Sequence, residues 1–285
     1  AIVMLRPQGP ESWAAKLFAS DTPDSIDAVA KGEADLAIVN PSGPLTLAYR
    51  GTGPYKEPLP VRVITVIPSY DQFVFAISPD LGLRTVEEIG EQHLPLHISV
   101  RGQADHSMHF VLAHIMEAAG FSLADLRSWG GDMHYHQGWP NVGPRVDAVK
   151  RGEVNAVFDE AVNLVAPATL NAGMSILPLR EETVRKLEAL GYRRGIITKA
   201  DFPKLPADVL SIDFSGWPVF CHKRTPDDLV TAICAGLEAR KDRIPWQGEG
   251  PLPLERMCRD TPEGPLDVPL HPAAERFWRE SGYLK

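Results

Sequence analysis

A helix-to-strand pattern written twice constrains this chain more than any other feature. SIDAVAKGEADLAIVN at residues 25–40 returns as RVDAVKRGEVNAVFDE at residues 145–160, and pairing Asp27 with Asp147 sets an offset of 120 that also matches Ala28, Val29, Gly32 and Glu33 with Ala148, Val149, Gly152 and Glu153. In each copy a helix runs into a glycine, the residue that ends helices in the left-handed region without a Cβ clash. The apolar runs that follow, LAIV and NAVF, read as central strands of parallel sheets covered by helices on both faces. Their polar ends, Asn40 and Ser42 in the first copy and Asp159 and Glu160 in the second, then fall at the carboxyl ends of parallel strands, where open α/β sheets bind ligands. A repeat this long is too large for a solenoid and suits two similar lobes.

The length of 285 residues accommodates two modules of ordinary size. The crossing strands predict lobe 1 over residues 1–92 and 206–285, holding both termini, lobe 2 over residues 93–205, and a hinge near residues 78–96 and 177–210. The expected fold class is α/β, each lobe a mostly parallel sheet flanked by helices with a ligand cleft between the lobes. With 37 acidic against 29 basic residues the formal charge is −8, which removes the general phosphate attraction on which nucleic-acid binders rely. No apolar run reaches the ~18 residues of a membrane-spanning helix. Cys221, Cys234 and Cys258 lack the paired spacing of zinc or redox sites, and free buried thiols are expected. The chain starts at Ala1 with neither a basic nor an apolar leader segment, so the expectation is a removed leader or a trimmed N-terminus.

Along the chain the pattern predicts strands at residues 2–5, 61–67, 72–78, 96–100, 133–136, 174–179, 209–214 and 219–222. Helices are expected at residues 11–19, 106–119, 161–171, 181–190, 226–243 and 270–285, with residues 41–60 as a Pro- and Gly-rich loop.

The anion site is expected at the turn from Val100 to Ser107. A strand ends there, Arg101 offers a bidentate clamp, and Gly102, Gln103, His106 and Ser107 lead into a helix N-terminus. Asn40 and Ser42 supply short polar groups from the first lobe, with helix capping as the alternative. Asp159 and Glu160 suit a ligand ammonium group or a divalent ion. Tyr70, Trp129, Tyr135 and Trp139 are either stacking residues or core aromatics. His106 and His109 share a helix face and His134 and His136 a strand face, so a metal held with Asp105 or Asp132 is the remaining alternative at this stretch. No nucleophile elbow, phosphate loop or dinucleotide fingerprint is present. Binding is therefore favoured over catalysis, and no cofactor is called for. The runner-up is an enzyme, a metal-dependent hydrolase or decarboxylase of small carboxylates on the same fold.

Three features together carry a family resemblance: KGEADLAI at residues 31–38, LHPAA at residues 270–274 before an aromatic-rich helix ending in Glu280, Ser281 and Gly282, and the doubled unit. The chain resembles the TAXI group of solute receptors that serve TRAP transporters, similar to type II periplasmic binding proteins, with Ala273 where that group usually has glycine. The resemblance implies a two-lobed fold closing on a small carboxylate, keto acid or amino acid. It also implies an extracytoplasmic or periplasmic location and a membrane permease as partner.

Overall fold

The computed structural model describes residues 22–103, 106–136 and 142–285; the strand and helix expected before residue 22 lie outside them. The chain divides into two compact units, residues 1–70 with 215–285 and residues 71–214.

In the first unit, α1 (Thr22–Lys31) turns at Gly32 into β1 (Leu36–Ile38), followed by α2 (Gly43–Arg50) and β2 (Val61–Ile67). The second unit opens with β3 (Val74–Ile77), α3 (Glu87–Glu91), β4 (His97–Arg101), α4 (Ser107–Ala118) and α5 (Leu123–Ser128). It continues through β5 (Asp132–His136), α6 (Gly143–Lys150), β6 (Ala156–Asp159), α7 (Val162–Asn171) and β7 (Ser175–Ile176), then closes with α8 (Glu181–Leu190), β8 (Arg194–Ile197) and β9 (Val209–Ile212). The chain returns to the first unit with β10 (Trp217–His222), α9 (Asp227–Ala239), α10 (Leu254–Met257) and α11 (Pro272–Glu280).

Both copies of the doubled pattern form the expected helix, turn and strand. Gly32 and Gly152 take φ of 77° and 73°, the left-handed conformation that lets a helix stop within one residue.

The first unit's sheet has the order β1-β10-β2 with both ladders antiparallel, so β1 and β2 run parallel to each other on either side of β10. Alternation along the strands separates two apolar layers. Val61, Val63 and Phe220 face Ile26, Val29, Leu45 and Ala48 of α1 and α2. Ile64, Val219 and Cys221 face Val230, Ile233, Cys234 and Leu237 of α9 and Trp278 of α11. Trp278 is fully buried and its indole N–H donates to the Ile64 carbonyl at 2.9 Å, which satisfies the one polar group of a large apolar side chain. All three cysteines are free and buried.

The second unit's main sheet has the order β5-β4-β6-β3-β7; β5-β4 and β4-β6 pair parallel, while β6-β3 and β3-β7 pair antiparallel. Strands β8 and β9 form a separate antiparallel pair. The α/β class holds, but the sheets are mixed where the sequence pointed to mostly parallel ones. The reason lies in β3 and β10. Apolar runs such as VFAI and VFC satisfy a buried strand of either direction, and composition does not encode direction.

The crossings fall at Tyr70/Asp71 and Phe214/Ser215, earlier and later than the expected 92/93 and 205/206. β3 pairs with β6 and β7, and residues 71–92 and 206–214 belong to the second unit. The expected loop at residues 41–60 contains α2, whose Pro44 sits in the first turn where its missing N–H costs nothing.

Candidate functional site

The second unit's topology brings the carboxyl ends of β4, β5 and β6 to the same sheet edge as the residues leading into β3. Val74 lies opposite Asp159, and Arg101 opposite His136. Five charged side chains meet there. Arg101 Nη2 donates to Asp159 Oδ1 at 3.1 Å and to Glu160 Oε1, and its Nη1 lies 2.7 Å from His106 Nε2. Arg145, from α6, donates through Nη1 to Asp159 Oδ2, through Nε to Ser99 Oγ at 2.9 Å, and through Nη2 to the carbonyls of Ser99 and Phe158 at 2.9 and 3.1 Å. Asp159 thus holds a guanidinium on each oxygen. Asp71 Oδ1 accepts from the backbone N–H groups of Gln72 and Val162, both at 2.8 Å.

This cluster is almost sealed from solvent. Arg101, Asp71 and Glu160 are each 4% exposed, Arg145 is 3% exposed and Asp159 fully buried. Such charges are tolerated only when paired and fully hydrogen-bonded. Ala161, immediately after Glu160, adopts φ 62°, a conformation costing a non-glycine residue about 1–2 kcal/mol. The surrounding contacts hold that strain next to the carboxylate. Burial first, then the neighbouring Glu160, pushes the Asp71 carboxyl well above the ordinary aspartate range. Burial also pushes His109 and His136 below the ordinary histidine value, Arg145 adding to the effect at His136.

Of the residues singled out in the sequence, Arg101, His106, Asp159 and Glu160 do come together. Gly102 and Gln103 continue the same edge: the Gly102 N–H donates to the His136 carbonyl at 2.8 Å, and the Gln103 carbonyl lies 3.0 Å from His109 Nε2. Ser107 opens α4 and is buried, with His106 at the N-cap accepting from Met108 N at 3.2 Å. Arg101 therefore sits in a buried ion-pair network, and the expectation of an open guanidinium clamp is replaced by a guanidinium already facing two carboxylates.

Asn40, Ser42 and Tyr70 belong to the first unit. They lie at the edge where β1 and β2 end and β10 begins: Ser42 N donates to the Ser215 carbonyl at 3.3 Å, Gly216 N to Ser69 Oγ at 2.9 Å, and Tyr70 N to Gln247 Oε1 at 3.1 Å. Ser42 precedes α2 without capping it through its side chain, so the capping alternative does not describe it. Trp139 and Asp105 lie outside the described residues. Trp129 stacks on His93, with ring centroids 4.9 Å apart, and Tyr135 is exposed beside His109.

The histidines do not gather as a metal set among the described residues, where no group of three or more His, Cys, Asp or Glu is arranged to hold an ion. His134 Nε2 lies 3.1 Å from His97 Nδ1, His136 lies against Ser99, and Asp132 accepts from Arg127 at 2.9 Å. Ser99 Oγ and His136 Nδ1, 2.9 Å apart, have the spacing of a nucleophile and its base. Ser99 is fully buried and its hydroxyl already accepts from Arg145, which makes it a structural link.

Asp71, Ser99 and Arg145 are cluster members that sequence reasoning passed over. Arg145 had a signal: it opens the second copy of the doubled pattern, three residues before the buried Ala148 and so on the helix's inward face. Asp71, lying in a turn between two strands, carried none.

Solved structures with a similar chain course include the alkanesulfonate-binding protein SsuA from Xanthomonas axonopodis pv. citri bound to MOPS, at 15% identity over 78% of this chain and 61% of that one, TM-score 0.35. MatC from Rhodopseudomonas palustris with bound malate matches at 13% identity over 77% and 68%, TM-score 0.38. A TctC solute-binding protein from Polaromonas matches at 16% identity over 76% and 67%, TM-score 0.38. The chain spans about three fifths of the length of SsuA, and at these scores none of the three informs the choice of ligand or partner. The family match is of another order, covering residues 20–282. On that extent the chain belongs to the NMT1-like family.

Proposed function

We propose that this protein is a solute-binding protein that captures a small molecule and delivers it to a membrane permease outside the cytoplasm. The observation that carries the reading is the placement of a polar set at the carboxyl ends of parallel strands in each unit, Asn40, Ser42 and Tyr70 in one and Arg101, His106, Asp159 and Glu160 in the other, the position at which α/β sheets bind ligands. Gly102, Gln103 and Ser107 complete the proposed contact set in the second unit.

Ion pairing narrows the ligand class. Arg101 and Arg145 already face Asp159 and Glu160, so a ligand carboxylate would have to displace a buried ion pair, and a ligand's ammonium group is the better match. Among the small carboxylates, keto acids and amino acids implied by the sequence resemblance, amino acids are therefore preferred. The same resemblance supports a TRAP-type permease as the partner.

A thermal-shift screen of the purified chain against amino acids, keto acids and simple carboxylates tests this. Mass action predicts stabilisation of about 2.7 kcal/mol at a ligand concentration a hundredfold above Kd. The expected result is a rise in melting temperature with one or a few amino acids. No shift with any solute defeats the binding reading, and turnover of a hit, seen as product by mass spectrometry, replaces it with the enzyme reading.

A further inference from the structure

We propose that His97 and His134 form a divalent-metal site on the β4-β5 edge of the second unit, holding a first-row transition ion through two imidazoles, with water completing its shell. The facing ring nitrogens, His97 Nδ1 and His134 Nε2, lie 3.1 Å apart, and the ring planes are inclined at 70°. Metal–imidazole bonds of about 2.0–2.1 Å place two nitrogen ligands about 2.9 Å apart at the right angle of a tetragonal site and about 3.3 Å apart at the tetrahedral angle. The observed separation falls between the two, so a turn of the rings admits an ion while the strands stay where they are.

The pair is a product of strand register. β4 and β5 run parallel with His97 opposite Asp132 and Ser99 opposite His134, which makes His97 and His134 diagonal neighbours on one face of the sheet. The backbone beneath them is fixed. His97 N donates to Asn155 Oδ1 at 2.9 Å, Asn155 N donates to the His97 carbonyl at 3.0 Å, and Asp132 N donates to the Leu96 carbonyl at 3.0 Å. Gly131 permits this close approach, since a Cβ there would lie 2.4 Å from the Leu96 oxygen. Donors carried on rigid strands keep the spacing that a metal demands. Both histidines are half-buried, so each stays open in part to solvent and to an arriving ion.

The donor set selects the ion. The three cysteines belong to the first unit. His136 Nδ1 lies 2.9 Å from Ser99 Oγ, and Asp132 Oδ1 accepts from Arg127 Nε at 2.9 Å and from Met133 N at 2.8 Å. Among the described residues no third His, Cys, Asp or Glu completes a set. Two neutral imidazoles suit Cu²⁺, Ni²⁺ and Zn²⁺, whereas Mg²⁺ and Ca²⁺ take oxygen ligands. With only two protein ligands the ion is exchangeable, unlike one in a closed structural zinc site. In the metal-free pair one ring donates its hydrogen to the other. On loading, that ring carries the hydrogen on its other nitrogen, a change of tautomer that releases no proton, and both facing lone pairs bind the ion.

Calorimetric titration of the untagged, chelator-treated full chain with ZnCl₂ and with CuCl₂ near neutral pH tests the site. One ion should bind per chain, Cu²⁺ more tightly than Zn²⁺, and MgCl₂ should give no binding. His97→Gln and His134→Gln should each weaken binding about tenfold or more, because the second donor no longer engages the ion that the first one holds. His222→Gln, a substitution in the first unit, should leave binding unchanged. The second measurement needs no variant: during Zn²⁺ titration of the wild type, histidine-selective NMR should show the His97 and His134 ring resonances moving before those of the other histidines. Absence of binding, affinity insensitive to both substitutions, or earlier movement of other histidine resonances overturns the proposal. The ion is titrated without any organic solute, so failure of the solute-binding reading leaves both measurements unchanged.

Discussion

Arg145 shows what a single residue contributes at the strand edge. It is 3% exposed, and its three guanidinium nitrogens serve Asp159, the Ser99 hydroxyl and two backbone carbonyls. Removing one partner of a buried ion pair leaves the other charged and desolvated, at a cost of about 3–5 kcal/mol. Arg145→Ala should lower unfolding stability by that amount, read from the urea midpoint at an unchanged slope; a loss below about 1 kcal/mol would mean that water reaches Asp159. Arg101→Ala should behave in the same way. An arginine in an open cleft would instead be nearly silent for stability, which is what its position at a strand-to-helix turn suggests from sequence alone. The sequence makes the strand end and the arginine legible. It does not reveal that both nearby carboxylates turn inward to meet the guanidinium, because that depends on the β4-β6 pairing between residues 58 positions apart.

The doubled helix-to-strand unit is the element most fully written in the sequence, and its glycines can be tested as a pair. At Gly32 and Gly152 an added Cβ would meet nothing within 4 Å. Only the left-handed backbone opposes a side chain there, at about 1–2 kcal/mol. Gly32→Ala and Gly152→Ala should therefore destabilise by equal amounts of about 1 kcal/mol. Gly131 is opposed by space instead, since a Cβ would lie 2.4 Å from the Leu96 carbonyl oxygen. Gly131→Ala should exceed both, because the clash pushes β5 away from the residue that leads into β4. Chemical denaturation of the three variants checks the order; a Gly131→Ala cost no greater than the other two would show that the β4-β5 edge yields freely. Local chemistry of this kind is readable because a helix stop is decided within a few residues. Strand direction is decided by partners far along the chain, so β3, β7 and β10 were recognisable as apolar strands while their antiparallel pairing was not. Helix α2 was hidden for a different reason: Pro44 and the glycines around it look like loop residues until one sees that they occupy only its first turn and its left-handed stop at Gly51.

For the molecule as a whole, the doubled pattern and the length point to two modules, and the chain divides into two, though at boundaries set by the pairing of β3 and β9 instead of by the hydrophobic pattern. The second unit is one continuous segment from Asp71 to Phe214, whereas the first is made from two separated pieces. That asymmetry leads to a prediction about folding. The continuous unit has the size of an ordinary domain, about 100–150 residues. Phe73, Phe75 and Phe158 are fully buried in contact with one another, ring centroids 4.9 and 5.2 Å apart for successive pairs. Its five-stranded sheet and the cluster of Asp71, Arg101, Arg145, Asp159 and Glu160 all lie within the segment. A fragment of residues 71–214 should therefore fold alone, with a cooperative thermal transition by circular dichroism and slow amide exchange in β4 and β6. The first unit needs both its pieces, because β10 is the central strand between β1 and β2. Residues 1–70 alone should stay unfolded, and mixing them with residues 215–285 should restore β1-β10-β2 pairing. A noncooperative melt of the 71–214 fragment would show that the two units hold each other up, and that the strand-end cluster depends on more than its own segment.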